Sequence, residues 1–109
     1  MSDITVATKN QFNETIAHPD TPALVMFSAS WCAPCQGVSK VLEVIQEDYM
    51  DDLNVIKVDI DLEPELTSEF GIRSIPTLLT FKEGEVDTRH VGPVNRTDIG
   101  MVLAHLCHR

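Results

Sequence analysis

The sequence predicts an α/β domain built on a mixed sheet, and three observations carry that prediction. Strand-like and helix-like stretches alternate along the chain. The run 23–27 is apolar enough to be a strand buried on both faces, and 53–60 reads as a second central strand. A hairpin pattern closes the sheet near the end of the chain. The order reads βαβαβαββα, a central mixed five-stranded sheet flanked by four helices. The strand–helix–strand units demand parallel pairing with helices on both faces, and the hairpin adds antiparallel strands. The 109 residues suit one domain, taken as 1–109.

Each element has its own signal. Residues 4–7 form a short strand candidate. Residues 10–18 carry Phe12 and Ile16 four apart, a weakly amphipathic helix that ends before Pro19. The run Ala23–Phe27 is uninterruptedly apolar. Residues 34–49 give the strongest helix, with Val38, Val41, Leu42, Ile45 and Tyr49 on one 3.6-residue face. Residues 53–60 are rich in β-branched side chains and read as a second central strand. A helix over 63–70 has Pro64 at its start and Gly71 just past its end, the usual asymmetry of helix termini. Strands 77–82 and 85–91 flank Glu83-Gly84, a weaker turn than Asn-Gly. The last helix runs over 95–106, with Ile99, Val102, Leu103 and Leu106 on one face.

Composition narrows the function. A formal charge of -9 argues against a nucleic-acid partner, which needs clustered Lys and Arg, and favours monomers that repel one another. No stretch approaches the roughly 18 apolar residues of a membrane span. Met1-Ser2-Asp3-Ile4 lacks the basic and apolar regions of a secretory signal, so a reducing cytoplasm is expected. Three cysteines are too few for a secreted disulfide scaffold. In such a compartment the spacing Cys32-Ala33-Pro34-Cys35 means redox chemistry or metal before it means a structural staple.

The placement of this tetrapeptide matters more than its letters. It lies between a buried strand and a helix, so Cys32 falls at a helix N-terminus, where unpaired N–H groups and the macrodipole favour an anion. A thiolate is such an anion, and the Cys32 thiol is expected to be acidified. Three residues of helix rise about 4.5 Å, at the lower end of the roughly 4.4–6.8 Å that a disulfide spans between Cα atoms. Pro34 suits the first turn, where a missing N–H costs nothing. Cys32 is expected on the outer side of the helix start and Cys35 one turn inside.

Trp31-Cys32-Ala33-Pro34-Cys35 at a strand–helix junction, followed by Ile75-Pro76-Thr77, resembles the thioredoxin family. Residues 25–29, Gly71-Ile72-Arg73, Thr77-Leu78-Leu79, Phe81-Lys82, Gly84 and Gly92 extend the resemblance over the whole chain. It implies a thioredoxin-like fold and a protein dithiol–disulfide oxidoreductase. Cys32 would attack a substrate disulfide, and Cys35 would then displace the reduced substrate. It implies a cis Ile75–Pro76 bond facing the disulfide, substrate contact through Trp31, Ile75, Pro76 and Gly92, and supporting roles for Pro34, Pro76 and Lys57. No bound cofactor and no metal are implied; electrons would come from NADPH through thioredoxin reductase. The partners are that reductase and disulfide-bearing proteins, within electron transport and cell redox homeostasis.

The chain departs from the family pattern at three places. Ala33 stands for Gly and Gln36 for the usual Lys, both tolerable. Met26 stands where the family has a buried Asp that helps deprotonate the resolving cysteine. Lys57, the strand-mate of that acid, is kept. It shares a face with Val55 and Asp59 by two-residue periodicity, and Asp59 is the nearest acid the sequence offers it. Met26 therefore bears on the rate of the second step.

Blander readings stand beside these. Cys32 and Cys35 could be half of a zinc site completed by His105, Cys107 and His108, although those residues point to different sides of a helix. Cys107 reads as a small apolar residue near a fraying terminus, and the acidic run Asp59, Asp61, Glu63, Glu65 as a solvated stretch. His18, His90, His105 and His108 have no nucleophile nearby. Two other functions fit the same fold. One is a disulfide isomerase or oxidase, against which Pro34 and the missing signal argue. The other is an accessory subunit of a larger complex, to which Met26 lends weight.

Overall fold

Ala23–Ser28 (β2) is buried along its whole length because it sits at the centre of the sheet with helices on both sides. The structure, a computed structural model, describes residues 4–18 and 20–107; the side chains of Met50 and Cys107, and His108 with its proposed metal role, lie outside that description. The elements are Thr5–Val6 (β1), Lys9–Ile16 (α1), β2, Ala33–Tyr49 (α2), Asn54–Asp59 (β3), Pro64–Glu69 (α3), Thr77–Lys82 (β4), Glu85–Val91 (β5) and Arg96–Cys107 (α4), with a 3-10 turn at Met50–Asp52. The sheet order is β1-β3-β2-β4-β5. β1 and β2 run parallel to β3, while β4 lies antiparallel to both β2 and β5.

The two faces of β2 feed two cores. Leu24 and Met26 pack with Val38, Leu42 and Ile45 of α2 and with Ile99, Leu103 and Leu106 of α4. Ala23, Val25 and Phe27 pack with Phe12 of α1 and Leu66 of α3. Phe12, Phe70 and Phe81 meet edge to face at centroid distances of 5.5–5.6 Å, a geometry that aligns ring edges with π-faces.

Most expected elements are present, with changes at their ends. The first strand shrinks to two residues. α1 starts one residue earlier than expected because Thr8 and Gln11 form a capping box, each side chain bonding to the other's backbone N–H. It stops at Ile16 rather than reaching His18. α4 is capped by Asn95, whose side chain accepts from the Asp98 N–H at 2.8 Å. After α3, Gly71 at φ 63° allows the N–H of Gly71 to reach Ser68 O and that of Ile72 to reach Thr67 O, a Schellman closure that a side chain at Gly71 would strain. The hairpin turn Glu83-Gly84 takes positive φ at both residues, the requirement of a type I′ turn.

The acidic run is solvent-accessible as expected, with Asp61 and Glu65 exposed, and it also makes specific contacts. Asp59 Oδ1 accepts from the N–H groups of Asp61 and Leu62, closing the turn after β3. Glu63 accepts from the N–H of Lys9, and the Lys9 ammonium meets Glu65 at 2.9 Å, so α1 is tied to α3. The hydrogen bond and charge of Lys9 hold the Glu65 carboxyl below the ordinary carboxylate range. Asp61 is taken up by the site described next.

Candidate active site

β2 delivers the chain to a tight turn in which the Cys32 N–H bonds to Ala29 O at 3.2 Å, and α2 starts at Ala33. Cys32 is thus the residue before the first helical one. Its Sγ accepts the N–H of Cys35 at 3.2 Å, the bond an N-cap Ser or Thr oxygen would make. Negative charge growing on this sulfur meets a backbone donor and the positive end of a 17-residue helix. Cys32 and Cys35 are joined as a disulfide with Cα atoms 5.3 Å apart. Both are buried in this oxidised form, at 5% and 3% exposure, so the expected contrast between an outer and an inner cysteine is small. What separates them is their surroundings: Cys35, and not Cys32, borders the cleft described below.

The opposing wall comes from the loop before β4. The Ile75–Pro76 peptide is cis, and Ile75 packs against the cluster of Ala29, Cys32 and Cys35. The carbonyl of Pro76 accepts the Gly92 N–H at 2.9 Å, which fixes the end of β5 beside this loop. Ile75, Pro76 and Gly92, far apart in sequence, are therefore brought together next to the disulfide. Pro34 lies exposed in the first turn of α2.

Trp31 is 67% exposed. Its Nε1 donates to Asp61 Oδ2 at 2.9 Å. Asp61 went unrecognised in the sequence. The available signal was topological: parallel β2 and β3 end on the same side of the sheet, so the residues after each become neighbours. Trp31 is the chain's single tryptophan, so tryptophan fluorescence comes from this site alone. Asp61→Ala is expected to lower the indole's fluorescence anisotropy. It is also expected to raise KM for a protein disulfide about twofold to fivefold, equivalent to up to about 1 kcal/mol for an exposed bond. Unchanged anisotropy would show that something else holds the ring.

Lys57 is not part of this rim. It stands beside Met26 in the β2–β3 register, and its half-buried side chain reaches α2, where Nζ donates to Ser39 Oγ at 3.2 Å. The partner is thus Ser39 rather than Asp59, because Asp59 turns to the loop after β3. A cleft of about 400 Å³ opens here, bordered by Met26, Ser28, Cys35, Ser39, Lys57 and Asp59 among others. Among the described residues no group of three or more His, Cys, Asp or Glu could hold a metal ion, and no helix is long and apolar enough to cross a membrane.

A helix-start cysteine pair closed as a disulfide, faced by a cis-proline loop, defines a dithiol–disulfide oxidoreductase. Comparison with known proteins agrees. The family model described as thioredoxin matches residues 3–105. Thioredoxin 1 of Nostoc sp. is 39% identical over 103 residues, covering 94% of this chain and 96% of that protein. A thioredoxin of Rickettsia bellii is 42% identical over 85 residues, covering 78% and 81%. Among solved structures, a point-mutant thioredoxin from Halobacterium salinarum superposes with a TM-score of 0.86 at 29% identity, covering 95% of this chain and 89% of that one. The chain belongs to the thioredoxin family.

Proposed function

We propose that residues 1–109 act as one domain that reduces disulfides in protein substrates and is reset by an NADPH-dependent thioredoxin reductase. The observation that carries this reading is the Cys35 N–H aimed at Cys32 Sγ beside the Ile75–Pro76 wall. In the reduced protein the Cys32 thiolate, held by that donor and the helix dipole, attacks one sulfur of the substrate disulfide. A Cys32–substrate bond forms, and the second substrate sulfur leaves as a thiolate that takes up a proton. Cys35 then loses its proton and attacks Cys32 Sγ. The intramolecular disulfide forms, and the remaining substrate sulfur departs with its electron pair. Two electrons have moved from the Cys32–Cys35 dithiol to the substrate.

The supporting residues have distinct roles in this reading. Pro34 stiffens the first helical turn that presents Cys32. Trp31, Ile75, Pro76 and Gly92 form the docking rim, where an extended substrate segment lies along the Ile75–Pro76 backbone. Lys57 acts on the Cys35 side. The charge of -9 supports a monomer, and the bacterial relatives support a cytoplasmic setting.

The test is reduction of insulin disulfides in the presence of NADPH and a bacterial thioredoxin reductase. NADPH is expected to be consumed only when this protein, the reductase and insulin are all present. NADPH oxidation that ignores this protein would overturn the pairing with the reductase. Insulin reduction driven by dithiothreitol alone, with no turnover by the reductase, would keep the disulfide-reducing activity and remove only that partner.

A further inference from the structure

We propose that Ser39 is a positioning residue for the second half of the reaction. It holds the Lys57 ammonium on the wall of the cleft that Cys35 also borders, so the forming Cys35 thiolate faces a fixed cation where Met26 supplies no acid. This rests on the reductase reading above.

Ser39 follows Cys35 by four residues on α2, so the two side chains lie one above the other on one helix face. Both border the cleft, together with Lys57 and Met26. Lys57 reaches them from β3, adjacent to Met26 across the ladder. A lysine head sits on a flexible four-carbon stem with three rotatable donors, and without an anchor it would spread into solvent. The Ser39 hydroxyl, 3.2 Å from Nζ, is the anchor the structure supplies. The other charged groups bordering the cleft are Lys40 and Glu43 from α2 and Asp59 from β3. Asp59 is engaged by two backbone N–H groups of the turn after β3. Met26 and Ser28 from β2 carry no charge.

A cation near a thiol stabilises its ionised form. Here that favours loss of the Cys35 proton to water in the cleft. The Cys35 sulfur then forms its bond to Cys32 Sγ, and the substrate sulfur leaves with the electron pair of the broken bond and is protonated by solvent. The cation does not accept the proton. It lowers the pH at which Cys35 becomes a nucleophile.

The test is single-turnover stopped-flow of the reduced full chain with insulin, following Trp31 fluorescence, with the resolving rate measured against pH. Ser39→Ala is expected to move the midpoint of that profile upward by about 0.5–1 unit, and so to slow resolution about threefold to tenfold at pH 7. Ser39→Thr, which keeps the hydroxyl, is expected to restore the midpoint. Lys57→Gln is expected to give the same upward shift, and the double variant no more than either single one. Alkylation of Cys32 at pH 7 separates the first step from the second and is expected to keep its rate. A Ser39→Ala midpoint equal to the parent's would overturn the proposal, as would shifts that add in the double variant. Should the denaturant midpoint show that Ser39→Ala has lost its fold, Lys57→Gln decides alone, and an unmoved profile there overturns the proposal. Failure of the parent chain to resolve any mixed disulfide would instead remove the reductase reading itself.

Discussion

Cys35→Ser is expected to stop turnover and leave the protein covalently bound to its substrate, whereas Cys32→Ser is expected to stop turnover and trap nothing. The asymmetry follows from the helix start. Cys32 Sγ receives the Cys35 N–H at 3.2 Å and lies on the positive end of α2, so its thiolate is stabilised before any substrate arrives. Cys35 lies inside the first turn of the helix and, unlike Cys32, borders the cleft beside Met26 and Lys57. With serine at 35 the first displacement proceeds, but no sulfur remains to break the mixed disulfide. With serine at 32 an alcohol replaces the nucleophile, and the first bond never forms. A non-reducing gel, followed by mass analysis of the shifted band, reads both outcomes. Alkylation of the reduced protein at pH 7 is a second measure, with Cys32 expected to react faster than Cys35 or Cys107. Equal rates for Cys32 and Cys107 would remove the argument from the helix terminus.

Met26→Asp is expected to destabilise the fold by about 1–4 kcal/mol while speeding the second step near neutral pH. Met26 is fully buried, packed among Leu24, Val38 and Leu78 on the α2–α4 side of the sheet. A carboxylate there is desolvated and needs a partner. The partner within reach is Lys57, its neighbour across the β2–β3 ladder, whose ammonium would have to leave Ser39. The penalty is therefore expected to grow when Lys57→Met removes that partner, with a coupling of about 0.5–3 kcal/mol in a double-mutant cycle. The same cleft governs the rate. Met26 and Cys35 both border it, so a carboxylate at 26 can take the Cys35 proton directly or through water. Denaturant midpoints read the first effect and stopped-flow resolution rates the second. A stability loss without a rate gain would mean that the existing cleft already removes the proton fast enough, and that Met26 is a neutral replacement for the acid.

Much of this site was legible because its signals are local. The Cys32–Cys35 spacing and Pro34 in the first turn depend on residues within one turn of each other. The Lys57 face could be read from two-residue periodicity, since Val55 packs on one side of the sheet and Ile56 and Val58 on the other. Contact roles for Trp31, Ile75, Pro76 and Gly92 were reached through family resemblance, because no periodicity links a loop before β4 to the end of β5. Asp61 and Ser39 were missed for the same physical reason. Each meets its partner through a neighbouring element, Asp61 across the ends of β2 and β3 and Ser39 across the α2–β3 packing.

The sequence by itself determined the element order, the burial of β2 on both faces and the position of the reactive sulfur at a helix start. These follow from apolar periodicity, turn residues and chain direction, all of which act over a few residues. Only the tertiary structure decided who pairs with whom. It set the strand order β1-β3-β2-β4-β5, gave Lys57 a serine instead of an acid, and gave the solvated acidic run a turn closure, a helix tie and an anchor for Trp31. Partners at long sequence separation are chosen by which surfaces the packed helices and sheet bring within about 3 Å, the reach of a hydrogen bond, and no local pattern in the chain encodes that distance.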